Sequence, residues 1–343
     1  MPSSQQSASA NATWLLTDGH AGNLRQAEAL ARALGVADAH VPPLWPAAPW
    51  RWLAPRRLPG AVDAFGAGFA HALQAPPMLA IGCGRQGALA TRLLRERGAF
   101  AVQILDPRID PRHWDLVIAP EHDRLRGANV IPVLGSLNPV DEAWLADAAA
   151  HFPALLALPR PRIVVLVGGP TRHAPWTAEA LQTHLESLRQ RVRSEGGSLL
   201  ATVSRRTPAA VIDALRAQLR DLPGLLWDGN GANPYPGMLA CADTLVCTPD
   251  SVNMLSEACA TTAPVQVLEA RCADGKIAAF LEALRERRRI HDGPGPAPAA
   301  LARPIVPLRE TARVADAVRQ RLDPCPVTAA PPERSAPIQK NRK

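Results

Sequence analysis

Short runs of apolar residues alternate with amphipathic stretches along most of the chain. The first half opens with an apolar run at residues 13–17, a glycine-rich turn and helical spacing at 24–34, which predict a strand, a loop and a helix. After a stretch rich in proline and tryptophan at 41–59, the pattern predicts helices at 61–73 and 86–96 and strands at 78–81, 100–105, 116–119 and 130–133. Strands that alternate with helices predict a parallel sheet covered on both faces.

The same alternation starts again after a predicted helix at 141–158, which Pro153 interrupts. Strands are predicted at 162–167, 199–203, 225–227, 244–247 and 265–268. The predicted fold class is α/β, with two tandem Rossmann-like domains whose parallel sheets face a central cleft. The predicted segments are a disordered N-terminus at 1–12, domains at 13–158 and 159–290, a linker at 291–304, a helix at 305–323 and a disordered tail at 324–343.

Composition narrows the class of protein. With 343 residues, 47% hydrophobic and 20% charged, the chain is long enough for two cores and too apolar to be mainly disordered. A polar start, six scattered cysteines and the lack of an apolar run of about 20 residues predict a cytoplasmic protein. The net charge of +7 is compatible with an anionic ligand, whereas one Tyr and five Phe argue against nucleic acid as a partner.

Ligands of open α/β sheets bind at the carboxyl ends of the strands, so the loops that follow strands are the places to look for function. The first such loop, DGHAGN at 18–23, has glycines that let backbone amides approach an anion at a helix N-terminus. Asp18 or His20 could act there as a general base. The alternative is a tight turn in which Asn23 or Asp18 caps the helix.

The second loop, GCGRQG at 82–87, matches the dinucleotide pattern G-x-G-x-x-G between a strand and a helix. Asp106 ends the next predicted strand, where an acid that binds ribose is expected. An NAD-binding oxidoreductase is therefore one alternative function, although no Tyr-x-x-x-Lys companion is present. Close packing of helix on strand is the structural explanation.

A third loop places His122 between Glu121 and Asp123, directly after a predicted strand. This composition suits a base with its orienting acid, or part of a metal site. Neighbouring side chains of an extended chain point in opposite directions, so a solvated loop with Asp123 as a helix cap is the alternative.

Two loops of the second half combine glycine with arginine. Gly168 and Gly169 follow one strand, and the sequence SRRTP at 204–208 follows the next. The guanidinium groups of Arg205 and Arg206 could bind a diphosphate together with the glycine amides. Ser204 and Thr207 are also ordinary residues for a helix start, which is the alternative.

The strongest candidate is CTPDSVNMLSEA at 247–258, which follows an apolar strand. Asp250 and Ser251 begin a helix whose free amides could bind a phosphate. Asn253 lies in its first turn, and Glu257 lies about two turns in, within reach of a ribose. An ordinary capped helix would not explain so many polar residues on one buried-looking helix.

Six motifs together carry a family resemblance: WLLTDGHAGN at 14–23, QILDPR at 103–108, DLVIAPEHD at 115–123, GGP at 168–170, SRRTP at 204–208 and DSVNMLSEA at 250–258. In this order they resemble the mitochondrial-fission ELM family, whose bacterial members look like GT-B glycosyltransferases. The resemblance implies a GT-B-like fold in which the second domain binds a nucleotide-sugar and the first faces the acceptor. The chain departs from that pattern in one respect, because no single residue matches an established catalytic base.

These observations lead to one set of assigned residues. The candidate catalytic residues are Asp18, His20 and His122; the candidate donor-binding residues are Gly168, Gly169, Ser204, Arg205, Arg206, Thr207, Asp250, Ser251, Asn253 and Glu257; and the acceptor-side residues are Gly19, Gly22, Asn23 and Glu121. No metal ligand is assigned, because the chain has no Asp-x-Asp triplet.

The hypothesis is transfer of a sugar from a nucleotide-sugar to an anionic or lipid-linked acceptor, with no further cofactor required. The hypothesis also allows an acceptor at the inner face of a membrane, and with it a peripheral location of the protein at that membrane. A nucleotide-sugar epimerase, the NAD-binding oxidoreductase and a non-enzymatic, membrane-recruited adaptor of the fission-factor type are the alternatives. For the adaptor, the basic helix end at 285–289 would contact the membrane.

Overall fold

A computed structural model of the chain describes residues 12–293 and 304–322. Its strands form two parallel six-stranded sheets, in the order β2-β1-β3-β4-β5-β6 and β12-β11-β10-β7-β8-β9. The strands are β1 (Thr13–Thr17), β2 (Ala39–His40), β3 (Leu79–Cys83), β4 (Phe100–Ile104), β5 (Leu116–Pro120), β6 (Val130–Val133), β7 (Arg162–Val167), β8 (Ser198–Val203), β9 (Gly224–Trp227), β10 (Thr244–Cys247), β11 (Val265–Val267) and β12 (Ile290–Asp292). The predicted α/β class with two Rossmann-like sheets is confirmed.

Helices connect the strands and cover the sheets. They are α1 (Ala21–Ala33), α2 (Trp50–Leu53), α3 (Ala67–Ala72), α4 (Gly84–Arg95), α5 (Glu142–His151), α6 (Pro153–Leu156), α7 (Ala178–Glu195), α8 (Ala209–Leu219), α9 (Tyr235–Cys241), α10 (Val252–Cys259), α11 (Gly275–Glu286) and α12 (Glu310–Leu322). Within the described ranges, none of these helices has the length and apolar character needed to cross a membrane.

One predicted helix, at 61–73, is wrong. The structure has a 3-10 turn at Ala61–Asp63 and then the short helix α3, which begins only at Ala67. Gly66 separates them with a φ of 84°, a left-handed backbone conformation that cannot continue a right-handed helix. The predicted interruption at Pro153 is confirmed, because α5 ends before it and α6 begins at it.

The chain crosses between the two sheets twice after β6. Leu155 of α6, with Trp144 and Leu145 of α5, joins the core on one face of the second sheet. In return, Val314 and Val318 of α12 are buried in the core of the first sheet. The predicted boundary at 158 and 159 stays a prediction. Residues 1–11 of the predicted N-terminus, 294–303 of the predicted linker and the whole predicted tail lie outside the described residues. Strand β12 extends to Asp292, inside the predicted linker.

The glycines of the G-x-G-x-x-G pattern bring α4 close to the first sheet. A Cβ atom at Gly87 would overlap the Leu16 carbonyl of β1, and one at Gly82 would lie 2.7 Å from Gln103 Oε1. Gly84 has a φ of +81°, and a Cβ atom there would lie 2.6 Å from Asp18 Oδ2. Close packing therefore accounts for the pattern without a dinucleotide.

We predict that Gly87→Ala lowers the free energy of unfolding by about 2 kcal/mol, because the new methyl group meets a backbone carbonyl that cannot turn away. Gly68→Ala is the matched control: Gly68 lies in helix α3, and a Cβ atom there would meet no described atom within 4 Å apart from its own neighbours and the backbone of its own helix. The control should be neutral or slightly stabilising. Urea unfolding measures both variants, and equal midpoints for Gly87→Ala and the parent chain would contradict the packing interpretation.

Candidate functional site

Each sheet has one point where the strand order reverses, and the predicted loops after β1, β3, β7 and β10 lie at these points. The predicted loops after β5 and β8 do not. In the first sheet β1 lies between β2 and β3, so the loops after β1 and β3 diverge there. These loops contain Asp18 and Gly84. In the second sheet the reversal lies between β7 and β10, which lead to Gly168 and Asp250. Open α/β sheets bind ligands at such points, and here one is present in each domain.

The first-domain loop is organised by Asp18. Its Oδ1 accepts a hydrogen bond from Asn23 Nδ2 at 2.8 Å and lies 3.0 Å from His20 Nδ1. The His20 side chain is 79% exposed, whereas that of Asp18 is 21% exposed. The sharp turn between them is made by Gly19, whose φ is +79°. Asp18 thus holds an imidazole that is open to solvent at the start of α1.

Helix α1 begins without a side-chain cap and without an acidic residue in its first turn. Helix α10 also lacks an acid in its first turn, and Ser251 caps it by accepting from the Met254 amide. The two helix starts meet across the domain boundary, because a Cβ atom at Gly22 would overlap Asn253 Nδ2. Two positive ends of helix dipoles are therefore close together, which favours an anion between them.

One turn further along, the same two helices are joined by an ion pair. Arg25 Nη1 of α1 lies 3.1 Å from Glu257 Oε1 of α10. The hydroxyl of Tyr235, at the start of α9, donates to Glu257 Oε2. The Arg25 guanidinium also lies 5.5 Å from the centre of the Tyr235 ring. Both carboxylate oxygens of Glu257 are thus bonded, one of them by the other domain.

Burial dominates the acid–base properties of this group. The Glu257 side chain is 3% exposed, while that of Arg25 is 44% exposed. Loss of water raises the pKa of the Glu257 carboxyl, and the Arg25 charge and the Tyr235 hydrogen bond oppose that rise. Burial and the neighbouring carboxylate raise the pKa of Tyr235 well above its usual range, so its hydroxyl remains a donor.

The Asp250 carboxylate forms its hydrogen bonds with other groups of the protein. Its carboxylate, fully buried, accepts from the Gly169 amide at 2.9 Å, from Trp176 Nε1 at 2.8 Å and from Arg206 Nη2 at 3.1 Å. The Gly168 amide donates to Thr248 Oγ1 at 2.8 Å. The two glycine amides assigned to a diphosphate are therefore already engaged within the protein, and Asp250 holds the β7 and β10 loops together.

The SRRTP loop divides into inward and outward residues. Thr207 is buried and bonds the carbonyl groups of Val167 and Gly168, and Ser204 contacts Thr207. Arg205 differs from Arg206, since its side chain is exposed and has no hydrogen-bond or ion-pair partner among residues 12–293 and 304–322. Of the two arginines, Arg205 is the one free to bind a ligand.

The EHD motif contacts the second domain instead of Asp18. Glu121 pairs with Arg287 at 3.2 Å, and Asp123 pairs with Lys276, both beside or on α11. His122 packs edge-on against Phe280 and is 11% exposed; burial and Lys276 lower its pKa. Strand β5 is separated from β1 by β3 and β4, which puts the two loops about 14 Å apart at about 4.8 Å per strand.

Two participants in the site were not assigned from the sequence, Arg25 and Tyr235. Arg25 follows Gly22 by three positions, so both lie on the same face of α1, and Asn253 and Glu257 share a face of α10 in the same way. Tyr235 is the single tyrosine of the chain. The helical spacing from Gly22 could have indicated Arg25 as a candidate. The sequence does not show that Arg25 pairs with Glu257 of the other domain.

The sequence profile described as "Mitochondrial fission ELM1" matches residues 21–322. The chain belongs to the mitochondrial fission ELM1 family. Within this family, the mitochondrial fission protein ELM1 of Arabidopsis thaliana is 34% identical over 274 residues, which are 72% of this chain and 64% of the plant protein. The ELM1-family chain thus spans less than two thirds of that relative.

Solved structures of low sequence identity share the fold of this ELM1-family chain. UDP-GlcNAc 2-epimerase of Methanocaldococcus jannaschii superimposes with a TM-score of 0.54 at 10% identity, covering 90% of this chain and 99% of that one. The Neisseria meningitidis UDP-GlcNAc 2-epimerase bound to UDP-GlcNAc gives 0.53 at 11% identity, covering 91% and 99%. The fold is GT-B-like, as the family resemblance implied.

We predict that Arg25→Met lowers the free energy of unfolding by about 1–2 kcal/mol at about pH 8 and by less at about pH 5. Without Arg25 the folded-state pKa of Glu257, already raised, rises further. The folded chain then holds a proton that the unfolded chain releases near the ordinary glutamate pKa of 4.5, so stability falls as the pH rises above that value.

Urea unfolding at the two pH values measures this loss. The control is Arg25→Met in a Glu257→Gln background, where no carboxylate is left unpaired and the cost should be small at both pH values. An equal loss at both pH values in the single variant would show that the Arg25 charge does not compensate the buried carboxylate.

Proposed function

We propose that this ELM1-family chain binds a nucleotide-sugar in the cleft between its two sheets and transfers the sugar to an anionic or lipid-linked acceptor. The observation that carries the proposal is the meeting of two helix N-termini from different domains at Gly22 and Asn253. Neither helix has an acidic residue in its first turn. A diphosphate is a ligand that such a pair of helix ends suits.

The donor would lie along the second domain. The α10 amides, the side chain of Asn253 and the exposed Arg205 would bind the diphosphate, and they would stabilise the negative charge that develops on the leaving group. Glu257 would accept from the ribose hydroxyls. Since Arg25 and Tyr235 now occupy its oxygens, we expect the nucleotide to displace Arg25, the more exposed of the two.

The acceptor would lie against the first domain. His20 is exposed and Asp18 orients its ring through Nδ1, which leaves the other ring nitrogen to take a proton from an acceptor hydroxyl. Asp18 has several donors of its own and is better placed to orient than to abstract. His122 has no part in this proposal, because it packs against Phe280 in the interdomain contact.

Calorimetric titration of the full chain with UDP, GDP and CMP, and with their sugars, tests the donor site. We predict that at least one binds, and that Arg205→Gln or Glu257→Ala weakens it about tenfold or more, as expected for one lost charge-assisted hydrogen bond.

Arg193→Gln is the matched control for Arg205. Arg193 is likewise exposed and lies in the second domain. It belongs to the last turn of α7, at the end of the sheet where the strands begin, opposite the end where the donor loops lie. Its replacement should leave nucleotide affinity unchanged. Absence of binding by every nucleotide, or equal affinity of all three variants, would refute the donor site.

A nucleotide-sugar epimerase is the second candidate, favoured by the two epimerases that share the fold at TM-scores of 0.54 and 0.53. The two reactions differ in what they consume. An epimerase converts the nucleotide-sugar alone, whereas a transferase leaves it intact until an acceptor is added.

The NAD-binding alternative has lost its basis, because the Asp18 carboxylate lies against Gly84, where a pyrophosphate would approach.

A further inference from the structure

The segment at 41–60 exposes an unusual amount of apolar surface. Its large apolar side chains Val41, Trp45, Trp52 and Leu53 are 45%, 77%, 60% and 36% exposed. The segment has three arginines and no acidic residue. Soluble proteins rarely expose two tryptophans on one short segment unless a partner covers them.

The segment is nevertheless fixed to the first domain, so this exposure is part of the folded structure. Trp50 and Leu44 pack against the core cluster that includes Phe65, Phe69 and Leu89. The Ala47 amide donates to the Ala64 carbonyl at 2.8 Å. The backbone is held while the neighbouring side chains Trp45 and Trp52 point into solvent.

Hydrogen bonds connect the segment to the candidate site. Arg85 Nη2 donates to the Trp52 carbonyl at 3.2 Å, and Gln86 Nε2 donates to the Arg51 carbonyl at 3.2 Å. Arg85 and Gln86 follow Gly84 in the first turn of α4, and Gly84 touches Asp18. The exposed tryptophans are therefore attached to the rim of the first-domain side of the cleft.

We propose that residues 41–60 form a membrane-contact segment, in which Trp45 and Trp52 enter the interface of an anionic lipid bilayer. Tryptophan beside arginine is the composition that favours this interface, where the ring is partly buried and the charge meets lipid phosphate. Arg51 already stacks 4.6 Å from the centre of the Trp52 ring, so that face is not open to a nucleic-acid base.

The other basic cluster is less suited to a membrane. Arg285 pairs with Glu282 and Asp292, and Arg287 pairs with Glu121. Arg289 is buried and donates to the carbonyl groups of Cys259 and Thr261. Two of the four arginines in this cluster pair with carboxylates and Arg289 is buried, which leaves Arg288 exposed and without a side-chain partner among the described residues, as Arg56 is in the membrane-contact segment. The difference is that the membrane-contact segment also exposes large apolar side chains, whereas none at 285–289 is exposed.

Membrane contact at this rim places the first-domain side of the cleft next to lipid headgroups. Resting on the proposed function, the inference narrows the acceptor to a lipid-linked one that reaches the His20 loop from the bilayer. Vesicle binding itself needs no nucleotide, so it is tested separately from the donor site, and a failure in either assay leaves the other result standing.

Co-sedimentation with vesicles tests the segment, using phosphatidylcholine alone and with about 30 mol % phosphatidylglycerol. The full chain should bind the anionic vesicles, and Trp45→Ser/Trp52→Ser should reduce the partition coefficient at least tenfold. Met78→Ser/Leu225→Ser is the matched control, since these side chains are 45% and 37% exposed elsewhere. This control variant should bind vesicles like the parent chain. In a separate nucleotide titration, the Trp45→Ser/Trp52→Ser variant should have the same affinity as the parent chain.

Quenching of tryptophan fluorescence by brominated phosphatidylcholine in the same anionic vesicles locates the inserted residues. Trp45→Phe/Trp52→Phe keeps apolar rings and should keep vesicle binding while losing most of the quenching. The proposal is overturned if the parent chain does not bind anionic vesicles, or if Trp45→Ser/Trp52→Ser binds them equally well. Fluorescence that responds to a single-stranded oligonucleotide and not to vesicles would also overturn it.

Discussion

Glu257 is a carboxylate buried where the two domains meet, and its charge is compensated from both sides of that boundary. An unpaired buried carboxylate is costly, so the position of α1 against α10 depends on Arg25 reaching across to it. Gly22 permits the approach one turn earlier, because any side chain there would meet Asn253. The closeness of the two domains at the candidate site follows from these two contacts.

A second buried acid, Asp250, has a different physical role. Its partners come from the second domain alone, and they fix the loops that surround the α10 start. Asp250 accepts no hydrogen bond from an amide of α10, and of these amides the Met254 N–H is capped by Ser251. Glu257, in contrast, is satisfied partly by the half-exposed Arg25, which can find water or a phosphate elsewhere. One acid therefore fixes the loops of the second domain, and the other joins the two domains through an ion pair that, under the proposed function, a nucleotide would replace.

Much of the fold was accessible from the sequence, because strands buried on both faces read as continuous apolar runs. Strand β7 illustrates this, since the predicted and observed bounds are both 162–167. Helix α12 at 310–322 lies inside the helical segment predicted at 305–323 and begins five residues later. The helix expected at 61–73 failed at Gly66, since apolar spacing does not reveal a left-handed residue. Of the strand-end loops that the sequence indicated, those after β1, β3, β7 and β10 lie at the reversal points of the sheets, whereas those after β5 and β8 do not.

The roles of individual side chains in the candidate site were less accessible. A loop acid such as Asp250 or Asp123 looks the same in sequence whether it faces a ligand or a neighbouring loop, and both turned inward to protein partners. Arg25 was missed because it meets Glu257 only when the first domain packs on the second, and Tyr235 was missed because it meets Glu257 from a different helix of the same domain. A contact between residues so far apart along the chain leaves no local pattern for a sequence to show.

Under the proposed function, a nucleotide takes the place of Arg25 at Glu257. A crystal structure of the full chain with a bound nucleoside diphosphate tests it most directly. We expect the diphosphate at the start of α10 near Arg205, the ribose hydroxyls on Glu257, and Arg25 displaced from that carboxylate. A nucleotide bound elsewhere, with the Arg25–Glu257 pair intact, would contradict it.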